Sequence, residues 1–188
     1  YVTRGFEHAR FHQVIDVMAG VSVEVDAHLV HELDSAGLLG AEFHQHSLGS
    51  VDAEVPVAIK VLENAAEGVE VAAATDHDVV TDFWPHVRAF GLERHLFAMA
   101  GDEVSYQGIG HFNAYPWQRD PLDPHRDDGT RMFWMKTVPQ LFADIRASAG
   151  EPLVQVNHPR SQIAGYFMTM RLNPVDATRI ARDPPGLP

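Results

Sequence analysis

Two histidines one residue apart, His44 and His46 in FHQHSLGSVD, offer imidazole nitrogens that an extended backbone turns to the same side. Asp52 follows shortly after them. Three more polar clusters lie downstream: Thr75-Asp76-His77-Asp78, then Asp102-Glu103 with His111 beyond it, then Asn157-His158-Pro159-Arg160. With no cysteine in the chain, thiolate sites and disulfides are excluded, and His, Asp and Glu remain as strong ligands. Nitrogen and oxygen donors in this mixture suit Zn²⁺, Mn²⁺ or Fe²⁺. Glu103 stands in an apolar stretch, where an unpaired carboxylate is costly to bury, so a cation is its natural partner and a salt bridge the plainer one. Asp76 and Asp78 read as turn or helix caps that support ligands, and Asn113 as a residue that orients a loop. His8, His12, His28, His31, His86, His95 and His125 belong to no cluster and read as surface or strand-face packing.

These groups converge only if the elements between them alternate in the right way. From Ala41 onward, short apolar strands alternate with helical stretches. The pattern predicts strands over Glu42–Ser47, Val69–Thr75, His111–Trp117 and Pro152–Asn157, and one within Leu96–Tyr106. Helices are expected over Val55–Glu67, with Pro56 in the first turn and Gly68 after it, over Asp82–Phe90, and over Pro139–Ala149, capped by Thr137 and closed by Gly150. Residues 118–130 read as a polar, proline-rich loop. Strand followed by helix, repeated, implies parallel pairing with right-handed crossovers, and the polar clusters then fall at the carboxyl ends of the strands. Upstream, Phe11–Leu33 alternates and reads as a β-hairpin, followed by a glycine-containing linker over 34–40.

Composition limits the partners. A formal charge of −12 disfavours nucleic acid and anionic membranes, so a small-molecule substrate and metal ions are expected. No apolar run approaches the ~20 residues that span a bilayer. The start lacks an initiator Met and a signal-peptide core, and the end lacks a closing element; both suggest a piece of a longer chain. The compartment stays open.

FHQHSLGSVD, VAAATDHDVVTD, GDEVSYQGIGHFNAYP and VNHPR, in this order and spacing, resemble successive motifs of the PHP (polymerase and histidinol phosphatase) domain superfamily. GHFNAYP and VNHPR, the latter followed by Gly165-Tyr166-Phe167, are most similar to the CehA/McbA-like branch of metallohydrolases. The resemblance runs from about Glu42 to Phe167. It implies an α/β fold, a distorted (β/α)7 barrel over 41–188, incomplete at its C-terminus, with 1–40 as the end of an upstream β-sandwich and a linker. It also implies two or three divalent metals: His44 and His46 on the first, Glu103 bridging to a second completed by His111 and His158, and Asp52 and His77 on a third. The implied activity is metal-dependent hydrolysis by a metal-bound hydroxide, most simply of a phosphate ester, with Arg160 as the catalytic cation. Ester, amide or carbamate hydrolysis is the alternative within the branch, and an idle metal-binding module the alternative outside it. The family motif opens with Asp where this chain has Glu42. Its final Asp-x-His pair has no counterpart after His158, so either that pair lies beyond residue 188, the favoured expectation, or the third metal site is degenerate.

Overall fold

The computed structural model describes residues 1–106, 108–118, 136–148, 150–173, 175, 176 and 178. Six strands and four helices carry the site: β1 Ala41–Glu42, α1 Val57–Ala66, β2 Val71–Ala73, α2 Trp84–Ala89, β3 Phe97–Met99, β4 Asp102–Tyr106, β5 Gly110–Tyr115, α3 Val138–Arg146, β6 Leu153–Val156 and α4 Tyr166–Thr169. The fold is mixed α/β. No described helix is long and apolar enough to cross a membrane.

Strands β1, β2 and β3 form a parallel sheet in that order. Its connections are α1 and α2, which the parallel geometry requires because a strand must be carried back to the same edge. Val61 of α1 and Phe83 and Val87 of the α2 region pack on Ala72, Ala74, Leu96 and Ala98. Helix α1 starts after Pro56, whose fixed φ suits a first turn, and Gly68 ends it with a φ of 70°.

Strands β4, β5 and β6 form a second sheet, and here the expected parallel pairing is not found: both pairs are antiparallel. The turn between Tyr106 and Gly110 is too short for a crossover, so β5 can only fold back on β4. Helix α3 covers this sheet, placing Leu141 and Ile145 against Val104, Phe112, Ala114 and Trp117. Its capping box is complete: the Gln140 amide N–H donates to Thr137 Oγ1, and the Thr137 N–H donates to Gln140 Oε1 at 2.8 Å.

The stretch Leu96–Tyr106, expected to contain one strand, contains two, separated at Ala100-Gly101 so that one belongs to each sheet. A Cβ on Gly101 would lie 2.7 Å from the Ala74 carbonyl and 2.8 Å from that of Ala114, so only glycine lets both backbones approach. Past this junction the sheets remain tied. The Glu103 N–H donates to the Asp76 carbonyl at 2.9 Å, and the Asp78 N–H to the Glu103 carbonyl at 3.0 Å.

Two other expectations change. The hairpin at Phe11–Leu33 is absent: residues 1–40 make isolated bridges, Val2 with Phe11 and His8 with His31, and no strand. Val14, Val17, Val21 and Val23 are exposed there, and alternation without a second layer to cover it does not hold two strands together. Closure into a seven-stranded barrel is not seen among the described residues, which form two three-stranded sheets. From residue 119 onward, the expected proline-rich loop lies outside the described residues.

Candidate metal centre

Strand β1 stops at Glu42, but the alternation continues beyond it. Gln45 turns inward, where its Oε1 accepts from Asn64 of α1 at 2.8 Å and its N–H donates to Thr75 Oγ1 at 2.9 Å. His44 and His46 therefore turn outward together, with Nε2 atoms 3.2 Å apart. The turn after them is held by Asp76, which accepts from the Ser47 N–H and from the hydroxyls of Ser47 and Thr81. Asp76 is 1% exposed and acts as a support, as expected for it. Asp78 does not cap α2: its Oδ1 accepts the Ser105 N–H at 2.9 Å, and Asp82 makes the turn that leads into the helix.

Glu103 occupies the centre. It is fully buried, yet five imidazole nitrogens surround its carboxylate. Oε1 lies 3.3 Å from His44 Nε2, from His111 Nδ1 and from His158 Nε2. Oε2 lies 3.0 Å from His46 Nε2 and from His77 Nδ1. Asp52 sits behind two of these rings, 2.9 Å from His46 Nδ1 and 3.4 Å from His77 Nε2. The structure thus brings all seven side chains named from the sequence as metal ligands into one cluster. By proximity they fall into three overlapping sets: His44, Glu103 and His158; His46, Asp52 and His77; His77, Glu103 and His111. The sequence motifs group them differently, pairing His44 with His46 and His111 with His158. Arg160 lies exposed on the loop after β6, two residues beyond His158.

The chemistry of these donors fits divalent cations. Glu103 Oε2 and His111 Nδ1 are buried and make no hydrogen bond, although potential partners lie close by. Ligand atoms held about 2.0 to 2.2 Å from a tetrahedral ion stand roughly 3.3 Å from one another, and the contacts around Glu103 have this spacing. Burial by itself raises the Glu103 carboxyl, but His111, His44, His46 and Asn157 outweigh it and hold the group well below the usual carboxylate range. The Glu103 contact pushes His46 up to about 9 against the opposing effect of burial, with Asp52 adding to the rise. Asp52 is lowered: burial works against this, and His46 and His77 prevail. The cluster favours positive charge at its centre, the condition that a divalent cation would also meet.

Two supporting residues were not assigned a role from the sequence. Asn157 Nδ2 donates to Glu103 Oε1 at 2.7 Å and to Asn113 Oδ1 at 2.5 Å. Asn113 in turn donates to the Phe43 carbonyl at 2.7 Å, holding the backbone just before His44. Ser105 Oγ donates to the Glu103 carbonyl at 3.0 Å and accepts from His77 Nδ1 at 2.5 Å. Ser105 was legible in principle, since two residues along β4 from Glu103 it must share that face. His158 reaches the cluster with a φ of 23°, unusual for a residue with a side chain and the kind of backbone strain found at ligand sites.

No family model and no curated protein matches this chain. A similar solved structure is a two-domain protein from Bacteroides vulgatus ATCC 8482, described as containing a predicted PHP-like metal-dependent phosphoesterase. It is 24% identical, with a TM-score of 0.46, and the match covers 65% of this chain and 35% of that one. The chain spans about a third of the length of that protein. A likeness at this level carries no inference about activity.

Proposed function

We propose that this chain is a metal-dependent hydrolase of the PHP type, acting on a phosphate ester. The observation that carries the reading is the fully buried Glu103 carboxylate, with five imidazole nitrogens within 3.3 Å and an oxygen left without a hydrogen bond. A carboxylate in that position is stable only beside positive charge, and the nitrogens around it are ligands for a transition metal. His44, His46, Glu103, His111 and His158 would hold two cations, with one Glu103 oxygen available to each, and His77 with Asp52 would serve a third. Divalent ions bound there would acidify a water and take up negative charge on the attacked group.

The remaining steps belong to this chain. Asn157 and Ser105 keep Glu103 and His77 aimed. Arg160, exposed two residues beyond His158, would receive an anionic group. That local cation matters because the chain as a whole carries a charge of −12 and repels phosphates at a distance. On the wording GHFNAYP and VNHPR we place the chain in the CehA/McbA-like branch, with the distorted (β/α)7 barrel as its parent fold.

Metal content of the purified chain, measured by mass spectrometry, and a panel of aryl phosphates and aryl esters test this reading. Two or more equivalents of a transition metal, lost in His44→Ala/His46→Ala, with turnover of the phosphate but not the ester, is the expected result. Turnover of the ester alone would replace the phosphoesterase reading, and a folded chain that takes up no metal would end the hydrolase one.

A further inference from the structure

The two oxygens of Asp52 face two imidazoles, and the two contacts differ in kind. Oδ1 lies 2.9 Å from His46 Nδ1, and since a carboxylate only accepts, the ring nitrogen is the donor. The lone pair of a neutral His46 is thereby placed on Nε2. That nitrogen is the one 3.2 Å from His44 Nε2 and 3.0 Å from Glu103 Oε2. On His77 the assignment is reversed. Ser105 Oγ, whose own proton goes to the Glu103 carbonyl, accepts from His77 Nδ1, so the bare nitrogen is Nε2, 3.4 Å from Asp52 Oδ2. One oxygen of Asp52 thus holds a proton in place, and the other faces a lone pair.

We propose that Asp52 is a positioning residue for the inner cation position formed by His44, His46 and Glu103, acting through the Nδ1 proton of His46. This role rests on the metal-binding reading above and adds to any contact Asp52 makes beside His77. By accepting that proton, Asp52 selects the tautomer and ring angle that present Nε2 to the cation, and it makes Nε2 a stronger donor. The competing acceptor is Ser50 Oγ, 3.2 Å from the same Nδ1. It is the weaker candidate: it is longer, uncharged and already accepts the His77 N–H at 2.8 Å.

The test compares Asp52→Ala, Asp52→Asn and Ser50→Ala in the full chain. Asparagine keeps an oxygen that can accept the Nδ1 proton; alanine removes it. Zinc affinity is read by competition with a chromophoric chelator, and the proton on the His46 ring by nitrogen–proton correlation spectra of the zinc-loaded protein. Asp52 is more than half exposed, so the substitutions leave the packed core intact, and matched circular dichroism spectra check this. Asp52→Ala is expected to weaken the tightest zinc by about 10- to 100-fold and to remove the His46 Nδ1 proton signal. Asp52→Asn should restore most of both, and Ser50→Ala should change neither. Unchanged affinity in Asp52→Ala, or no rescue by Asp52→Asn, overturns the proposal while leaving the hydrolase reading standing. A wild-type chain that binds no zinc overturns the proposal, and one that takes up no divalent transition metal at all overturns the hydrolase reading as well.

Discussion

Glu103→Gln separates a metal centre from a structural ion-pair cluster, because only the first predicts that the variant loses a metal-dependent gain in stability. The substitution keeps the shape of the side chain and removes one negative charge from a fully buried position shared by five imidazoles. Each carboxylate oxygen faces its own set of rings, so one change removes the anionic ligand from two cation positions together. An ion at 100 times its dissociation constant stabilises the fold by about 2.7 kcal/mol, so two positions contribute roughly 5 kcal/mol. For a chain of this size each kcal/mol moves the midpoint by about 2–4 °C, giving a metal-dependent rise of about 10–20 °C. Thermal melts by circular dichroism, with chelator and with excess Zn²⁺ or Mn²⁺, should show that rise in the wild type and none in Glu103→Gln. Without metal, the variant should melt below the wild type near neutral pH, because the carboxylate that raises His46 and is itself held ionised by the surrounding rings is lost. If Glu103→Gln still gains the full increment from metal, the reasoning is wrong and Glu103 serves only as a salt-bridge anchor.

The pH dependence should have opposite signs with and without metal. His46 is raised from 6.5 to about 9 in the metal-free chain, so its contribution to stability is fully present below pH 6.5 and is lost as pH rises through 9. Urea midpoints of chelator-treated protein should fall across that window, less so in His46→Ala, while zinc affinity rises across it because the ion must displace the same proton. Gly101→Ala should destabilise the chain by about 1–3 kcal/mol and weaken metal uptake, because the new methyl, two residues before Glu103, would meet the backbone carbonyls of Ala74 and Ala114. Chemical denaturation with parallel metal analysis checks both effects. Leu141→Ala, at a fully buried position under the second sheet, should cost about 2–5 kcal/mol in a denaturant titration and leave the stoichiometry of bound metal unchanged wherever the chain is folded.

Much of the site was legible because it depends on local rules. Alternation along an extended chain sends His44 and His46 to one side whatever lies around them, and an unpaired glutamate in an apolar strand announces a partner. The cap of α3 and the end of α1 followed from Thr137 and Gly68 for the same reason: both act within one helical turn. Other features depend on residues far apart in the chain. Whether β4 and β5 run parallel or antiparallel is decided by the turn between them, and the break that sends β3 and β4 to different sheets is decided at Gly101 by carbonyls from Ala74 and Ala114. The alternation in 1–40 resembled a hairpin, but alternation supplies only a potential face, and no described residue covers Val14, Val17, Val21 and Val23. Asn157 and Ser105 carry no role in the sequence alone because an amide or hydroxyl becomes a support only once folding brings an acceptor within reach. The residue types of the cluster were thus settled by the sequence alone. Which ring nitrogen faces which oxygen was decided by the tertiary structure, because tautomer and orientation depend on partners that the chain meets only when folded.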